Sequence, residues 1–145
     1  MGTLTLDLAS TIVDATLAEA RKRSFKPIIA LVLDTGGYAV ALKREDGAGL
    51  LHYDIAMGKA WGAVAMGSAS RALGDRMEQR PSVVAALAAA SGGRFMPIPG
   101  GVLIRDAENR VVGSVGVSGE LSDNDEICAV AGITAAGLKA DTGAA

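Results

Sequence analysis

The fold is decided by residues 97–119, which read PIPGGVLIRDAENRVVGSVGVSG. Two runs rich in Val and Ile, 101–105 and 111–118, flank a polar turn, and this pattern predicts a β-hairpin. Glycine and proline residues at both ends allow the backbone to bend sharply or to be approached closely. Because binding residues concentrate at such places, we expect functional residues near the two ends of this hairpin.

The rest of the chain divides into apolar runs and amphipathic segments. The run 28–33 follows Pro27 and is apolar throughout, which indicates a central strand covered on both faces. A second strand is predicted at 38–43. Apolar residues at helical spacing predict helices at 5–23, 53–73, 81–90 and from the cap residues 122–125 to Leu138. We therefore predict one α+β domain over residues 1–145, with a single antiparallel sheet packed by helices and a frayed tail at 141–145.

The segment 53–73 contains three glycines, Gly58, Gly62 and Gly67. Each glycine inside a helix costs about 1 kcal/mol relative to alanine. Three of them in one predicted helix therefore indicate that another part of the backbone packs closely against it.

Composition excludes several classes of function. The 145 residues carry a formal net charge of −2, which provides no basic field for a nucleic acid. One cysteine and one histidine cannot build a Cys/His zinc site. The chain begins without the basic and apolar segments of a signal peptide, and no uncharged apolar stretch reaches the length of about 18 residues that a membrane helix requires. We expect a cytoplasmic protein with neither nucleic acid nor membrane as a partner.

His52 is the single imidazole of the chain and the first candidate for chemistry. It could serve as a haem or other metal ligand or as a general base, and it could equally be an ordinary residue near the start of a helix. A Ser-His-Asp triad would have to join His52 to a serine such as Ser118. This reading is disfavoured because the sequence around Ser118 lacks the glycine spacing of a nucleophile elbow.

Two cations and a glycine pair are candidates for binding an acidic ligand. Lys59 lies among small residues, so its ammonium either reaches solvent along a packed face or points into a cavity. Arg94 follows a glycine pair and is placed to lie at a pocket mouth. The amides of Gly100 and Gly101 could form an anion-binding nest, although such a pair also serves as a plain turn.

Four carboxylates crowd the start of the last predicted helix, namely Glu120, Asp123, Asp125 and Glu126. They could bind a hard cation, but acids at a helix amino terminus are favoured by the helix dipole alone. Glu120, together with Lys59 and Arg94, is also a candidate catalytic residue.

Several motifs in order resemble one known family. They are REDGA at 44–48, IAMGKA at 55–60, the glycine pair at 92–93, PIPGG at 97–101, VGSVGVSG at 112–119 and DEICAVAG at 125–132. This set is similar to the GlcG/HbpS family, also called the haem-degrading domain family, which is related to the carboxy-terminal domain of PduO-type proteins. The resemblance implies a profilin-like fold, assembly into homo-oligomers from dimer to octamer, and in some members haem binding or slow haem breakdown. Members often accompany catabolic operons.

Three hypotheses of function follow. The first is a small-molecule-binding oligomer, a haem-binding or haem-degrading accessory protein in which His52 is the metal ligand and Lys59, Arg94, Gly100 and Gly101 bind the acidic groups. The second is a cofactor-independent lyase or isomerase of small-molecule catabolism that uses Lys59, Arg94 and Glu120. The third is a sensor or scaffold without chemistry.

Overall fold

The computed structural model describes residues 3–144. The helices are α1 (Leu6–Lys22), α2 (His52–Met66), α3 (Ser70–Arg76), α4 (Pro81–Ala90) and α5 (Ser122–Ala135). The strands are β1 (Ile29–Asp34), β2 (Ala39–Arg44), β3 (Gly101–Arg105), β4 (Val111–Ser118) and β5 (Lys139–Asp141).

The strands form one sheet in the order β2-β1-β4-β3-β5, and all neighbours are antiparallel. The predicted hairpin is present as β3 and β4, and β4 occupies the centre of the sheet between β3 and β1. Seven consecutive residues of β4, Val112 to Ser118, are buried. The α+β prediction, with a single antiparallel sheet packed by helices in a profilin-like arrangement, is confirmed.

Helices cover the two faces of the sheet. On one face, α1 and α5 pack against each other and against alternate residues of the central strands, such as Val32, Val115 and Val117. On the other face, α2 lies across β1, β3 and β4, and it buries Ile29, Leu31 and Leu33. This double cover explains why the run 28–33 is apolar throughout.

Small residues let α2 approach the sheet closely. A β-carbon at Gly116 in β4 would overlap the carbonyl oxygen of Ala56 in α2, so the strand and the helix backbone touch directly. The outer side of α2 is packed in the same way, because a β-carbon at Gly58 would lie 3.1 Å from Met96 Cβ and one at Gly62 would lie 3.1 Å from the Phe95 ring. The expectation of a close neighbour is confirmed for these two glycines.

The predicted helix 53–73 is wrong at its carboxyl end. The structure divides it into α2 and α3, because Gly67 adopts the left-handed conformation, with φ of 67°, and its amide closes the last turn of α2. Gly74, the first residue beyond the predicted helix, lies inside α3. The apolar spacing continues across the junction, so periodicity alone does not reveal the division.

The carboxyl end also differs from the prediction. Helix α5 ends at Ala135 and not at Leu138, and Lys139–Asp141 add an edge strand to β3. Asp141 is therefore ordered by pairing with Leu103 and by an ion pair with Arg105 at 2.8 Å, so the predicted fraying is wrong for this residue. Ala145, also assigned to the tail, lies outside the described residues.

Helix α4 begins at Pro81 and ends at Ala90, as predicted, but it contributes nothing to the core. Its sequence, PSVVAALAAA, contains no charged residue, and none of its residues is buried. Val83, Val84 and Leu87 are half-buried, whereas Ala85, Ala86, Ala89 and Ala90 are exposed.

The contact between Gly116 and Ala56 provides a test of this architecture. We expect Gly116→Ala to lower the free energy of unfolding by roughly 1–3 kcal/mol or more, because the new methyl group has no free space and α2 must move. Gly36→Ala is the control, since the methyl group there would meet mainly the mobile ring of Tyr38. Urea denaturation measures both variants, and equal stabilities would contradict this packing.

Candidate functional site

Polar side chains converge where β4 ends and α2 begins. Ser118 is the last residue of β4 and is 2% exposed, and His52 is the first residue of α2. The Nδ1 atom of His52 lies 2.7 Å from the hydroxyl oxygen of Ser118. Two residues 66 positions apart in the sequence are thus joined by one hydrogen bond at the predicted functional end of the hairpin.

Lys59 lies two turns further along α2 and is buried, with 1% of its surface exposed. Its ammonium donates hydrogen bonds to the carbonyl oxygen of Val117 at 2.8 Å and to Oδ2 of Asp125 at 3.1 Å. The other carboxylate oxygen of Asp125 accepts the amide of Glu120 at 3.0 Å. The ammonium therefore links α2, the end of β4 and the first turn of α5.

Burial sets the electrostatics of this ion pair. Desolvation lowers the pKa of Lys59, and the nearby carboxylate of Asp125 opposes this change. Desolvation likewise raises the pKa of Asp125 to about 6, against the opposing effect of the Lys59 ammonium. Both groups are thus held closer to neutrality than they would be in water. Such shifts occur in catalytic sites and in structural ion pairs alike.

The predicted glycine pair surrounds the same lysine. A β-carbon at Gly100 would lie 2.7 Å from the Lys59 ammonium nitrogen, and one at Gly101 would overlap the Lys59 backbone. The Gly101 amide donates to the hydroxyl of Ser70 at 2.7 Å, and the Gly100 carbonyl accepts the Val117 amide at 3.0 Å. Binding of an acidic ligand by Lys59, Gly100 and Gly101 stays a prediction, and the Lys59 ammonium and the Gly101 amide already have partners within the chain.

Arg94 and Glu120 have other partners. The Arg94 guanidinium lies over the Trp61 ring, 4.0 Å from its centre, and its Nε donates to the Ser91 carbonyl at 2.8 Å. The Glu120 carboxylate accepts the backbone amides of Lys26 and Leu121, each at 2.9 Å, and these bonds lower the pKa of Glu120. Of the sequence-predicted residues, Lys59, Gly100 and Gly101 are in contact. The side chains of Arg94 and Glu120 have other partners, although the Glu120 amide donates to Asp125.

The acidic residues at the start of α5 are paired with cations. Asp125 pairs with Lys59, and Asp123 and Glu126 both bind the guanidinium of Arg71. Within residues 3–144, no three His, Cys, Asp or Glu side chains lie close enough together to hold a metal ion. Cys128 is a free, buried thiol, and burial raises its pKa to about 12.

An apolar cavity of about 520 Å³ lies beside the start of α2. Its lining comes from β1, β2 and the residues on either side of His52, and it consists of Ile29, Leu42, Arg44, Leu50, Tyr53 and Asp54. Leu50 and Tyr53 are 97% and 43% exposed, so both are accessible to a ligand. Cavities of this size accommodate small ligands.

Sequence reasoning missed the residues of this cavity. The sequence motifs include Arg44 only as the first residue of REDGA, and they do not indicate Leu42, Leu50 or Tyr53 as binding residues. One signal was available, because Leu50 and Leu51 are adjacent leucines that follow a polar, glycine-containing loop and directly precede the single histidine. Leu50 and Leu42 of β2 line the same cavity only in the folded chain.

In the part of the chain that the structure describes, no helix has both the length and the apolarity needed to cross a membrane.

The structural role of the buried ion pair can be measured by a double-mutant cycle. We expect Lys59→Met to lower the free energy of unfolding by about 3–5 kcal/mol, because Asp125 stays buried without a cation. Adding Asp125→Asn should recover part of this loss. The control is the exposed pair of Lys43 and Asp14, with nitrogen and oxygen 2.8 Å apart, for which the same cycle should give less than about 1 kcal/mol. A stability of Lys59→Met equal to that of the wild type would contradict the assigned role.

Comparison with known proteins agrees with this architecture. A family model described as "Haem degrading protein HbpS-like" matches residues 4–134. A double mutant of Streptomyces reticuli HbpS is 30% identical, with a TM-score of 0.77 and coverage of 92% of this chain and 87% of that chain. The PduOC:heme complex, 23% identical, has the same fold, with a TM-score of 0.85 over 97% of this chain and 99% of that chain.

A relative of similar length also matches most of the chain. A 15.0 kDa protein from the dhaT-dhaS intergenic region of Citrobacter freundii is 27% identical over 129 residues, which is 89% of each chain. The family match covers most of the chain and spans both the hairpin and the helices that pack on it. The resemblance found in the sequence motifs is thereby confirmed, and the chain belongs to the HbpS-like family of haem-degrading proteins.

Proposed function

We propose that this protein binds haem in the apolar cavity beside α2, with His52 as the axial ligand. The observation that carries the proposal is the cavity of about 520 Å³, whose lining residues Leu50 and Tyr53 stand two positions before and one position after the single histidine in the sequence. The family of the chain and the haem complex of its structural relative PduOC support the same ligand.

The residues present fit the chemistry of haem. Porphyrin faces are apolar, and Ile29, Leu42 and Leu50 offer an apolar wall. Propionates are anionic, and the guanidinium of Arg44 lies at the same cavity. Imidazole nitrogen is a common axial ligand of haem iron. When bound, haem supplies redox-active iron, and the chain supplies the axial nitrogen, the apolar wall and the cation.

The hypothesis of a cofactor-independent lyase or isomerase has less support. It requires Lys59, Arg94 and Glu120 to act on one substrate, and the three side chains have different partners. The observation in its favour is the buried Lys59–Asp125 pair, in which the pKa of Asp125 is raised to about 6. A sensor or scaffold without chemistry could also bind haem but would leave it intact, so the breakdown of bound haem separates it from a haem-degrading protein.

Haemin titration tests the proposal. We expect His52→Ala to weaken binding at least about tenfold, or about 1.4 kcal/mol, and to change the Soret band. Tyr53→Phe is the matched variant, because Tyr53 lines the cavity and a phenolate is an alternative haem ligand. Loss of the native spectrum only in Tyr53→Phe would contradict the assignment of His52. Decay of the Soret band with ascorbate in air then measures whether the bound haem is broken down.

The role of Arg44 in binding can be tested against a control variant at Lys43 on the same strand. We expect Arg44→Gln to weaken haemin binding by about ten- to a hundredfold, because a hydrogen bond to a charged group contributes roughly 1.5–3 kcal/mol. Lys43→Gln removes one positive charge at the neighbouring position, where the side chain pairs with Asp14 of α1 on the opposite face. Equal effects of the two variants would indicate non-specific attraction between the protein and the propionates.

We also propose that the protein is a homo-oligomer in which α4 lies at an interface between copies. An uncharged helix is normally buried all round, whereas α4 has no buried residue within the described chain. A helix of ten residues that is only partly covered is marginal in water. Another surface must therefore pack on α4 whenever the chain is folded. A second copy of the same chain can provide that surface. The exposed alanines of α4 would allow close helix packing.

Light scattering tests the assembly. We expect a mass that is a multiple of 14.6 kDa for the wild type, and dissociation by Ala86→Glu, which places a charge on the exposed face of α4. Thr11→Glu is the control, because it places the same charge on the exposed face of α1. A wild-type monomer at micromolar concentration would contradict the proposal.

A further inference from the structure

We infer that the apolar cavity beside α2 also binds a small amphipathic zwitterion, that is, a ligand with one carboxylate and one ammonium on an apolar body. The observation that carries this inference is the presence of two opposite charges, Arg44 and Asp54, in the lining of one cavity. The inference goes beyond the proposed haem function, because haem has carboxylates and no ammonium. It gives a role to Asp54, which the binding of haem does not use.

The two charges are not neutralised within the chain. Among residues 3–144, no ion pair involves Arg44 or Asp54, whereas Arg21 and Glu45 nearby are paired with each other. Opposite charges that line a common cavity without reaching each other leave space for a ligand between them. A ligand that brings its own two opposite charges can pair with both.

The Arg44 side chain is held in place and still has free donors. Arg44 pairs with Ile29 of β1 in the sheet, and its Nη1 donates a hydrogen bond to the Ala48 carbonyl at 3.2 Å. A guanidinium has five N–H groups in a planar arrangement, and carboxylates bind to it through two parallel hydrogen bonds. Arg44 is therefore the group that receives the ligand carboxylate.

Asp54 lies in the first turn of α2. The helix dipole alone favours an acid at this position, but it does not require the acid to line a cavity together with an arginine. An ionised carboxylate accepts hydrogen bonds and donates none. It therefore attracts an ammonium and repels a second carboxylate. We assign to Asp54 the selection of ligands by charge.

The remaining lining defines the body of the ligand. Leu42, Leu50 and the ring of Tyr53 present apolar surface to the cavity, and all three residues are exposed. A ligand with an aromatic or branched aliphatic body would remove this surface from water, which favours binding. The volume of about 520 Å³ lies within the range of small-molecule sites. An amino acid with a large apolar side chain has this combination of groups.

Three probes that share one phenylethyl body separate the two charges. L-phenylalanine has both charges, 3-phenylpropionate has only the carboxylate, and 2-phenylethylammonium has only the ammonium. We expect phenylalanine to bind the wild type at least about tenfold more tightly than either of the others, which is the usual effect of one hydrogen bond to a charged group. NMR titration of the methyl signals of Leu42 and Leu50 measures the affinity and locates the binding in the cavity.

Substitution of each charge should affect different probes. We expect Arg44→Gln to weaken the binding of phenylalanine and 3-phenylpropionate about tenfold and to leave 2-phenylethylammonium unchanged. Asp54→Asn should weaken phenylalanine and 2-phenylethylammonium by the same factor and strengthen 3-phenylpropionate. Asp75→Asn is the control, because it removes an exposed negative charge from α3, outside the cavity lining, and it should change none of the three affinities.

Equal affinities of the wild type for the three probes, or a preference for phenylalanine that persists in Asp54→Asn, would overturn the inference. Haemin titration in the presence of phenylalanine then separates it from the haem proposal. Competition supports a common cavity. A protein that binds haemin and not phenylalanine contradicts this inference alone, and a protein that binds phenylalanine and not haemin contradicts the haem function alone. Binding of both without competition would place haem outside the cavity.

Discussion

The structure depends on the burial of one ammonium group between α2, β4 and α5. Removing an ammonium from water costs several kcal/mol, and only well-placed partners offset this cost. Lys59 has two, the carbonyl of Val117 and the carboxylate of Asp125. Because each partner belongs to a different element, displacement of any one of the three would leave a buried charge without its counterpart. The ion pair therefore restricts the structure to one arrangement of these elements.

This constraint extends to the candidate site through the backbone. Val117, which accepts the Lys59 ammonium, is directly followed by Ser118, which contacts His52. Lys59 and His52 are in turn about two turns apart on α2. The helix and the strand are thus joined at two points, a buried bond from the Lys59 ammonium to a backbone carbonyl and a partly buried hydrogen bond between two side chains. A rigid frame of this kind fixes the ring of His52 relative to the cavity wall formed by β1 and β2.

Most of the fold could be predicted from the sequence because it follows from local patterns. The hairpin at 101–118 and the helix at 81–90 have strong turn and cap signals, and the structure contains both. The boundary at Gly67 was missed because apolar spacing continues beyond it, and only the left-handed φ of that residue ends the helix. Strand β5 was missed because three residues carry too little pattern to be recognised before their partner strand is known.

The site was less predictable, because its contacts join distant parts of the chain. Sequence reasoning singled out Lys59 for its small neighbours and His52 for being the single imidazole, and it treated Asp125 as one of four acids at a helix terminus. Pairing between Lys59 and Asp125 depends on how α5 packs against the end of β4. The cavity is likewise formed by β1, β2 and α2 together, so Leu42, Leu50 and Tyr53 acquire a common surface only in the folded chain.

The distribution of charge explains which residues are available to a ligand. The cation that is most unusual in the sequence, Lys59, has its charge balanced inside the protein by Asp125. The acid chosen as a catalytic candidate, Glu120, is similarly occupied by two backbone amides. A group that already has internal partners must lose them before it can bind a ligand, and in a buried site that loss costs several kcal/mol. Arg44 is exposed, lies at the apolar cavity and donates a single hydrogen bond, from Nη1 to the Ala48 carbonyl at 3.2 Å, so it can bind an anion at a smaller cost in stability.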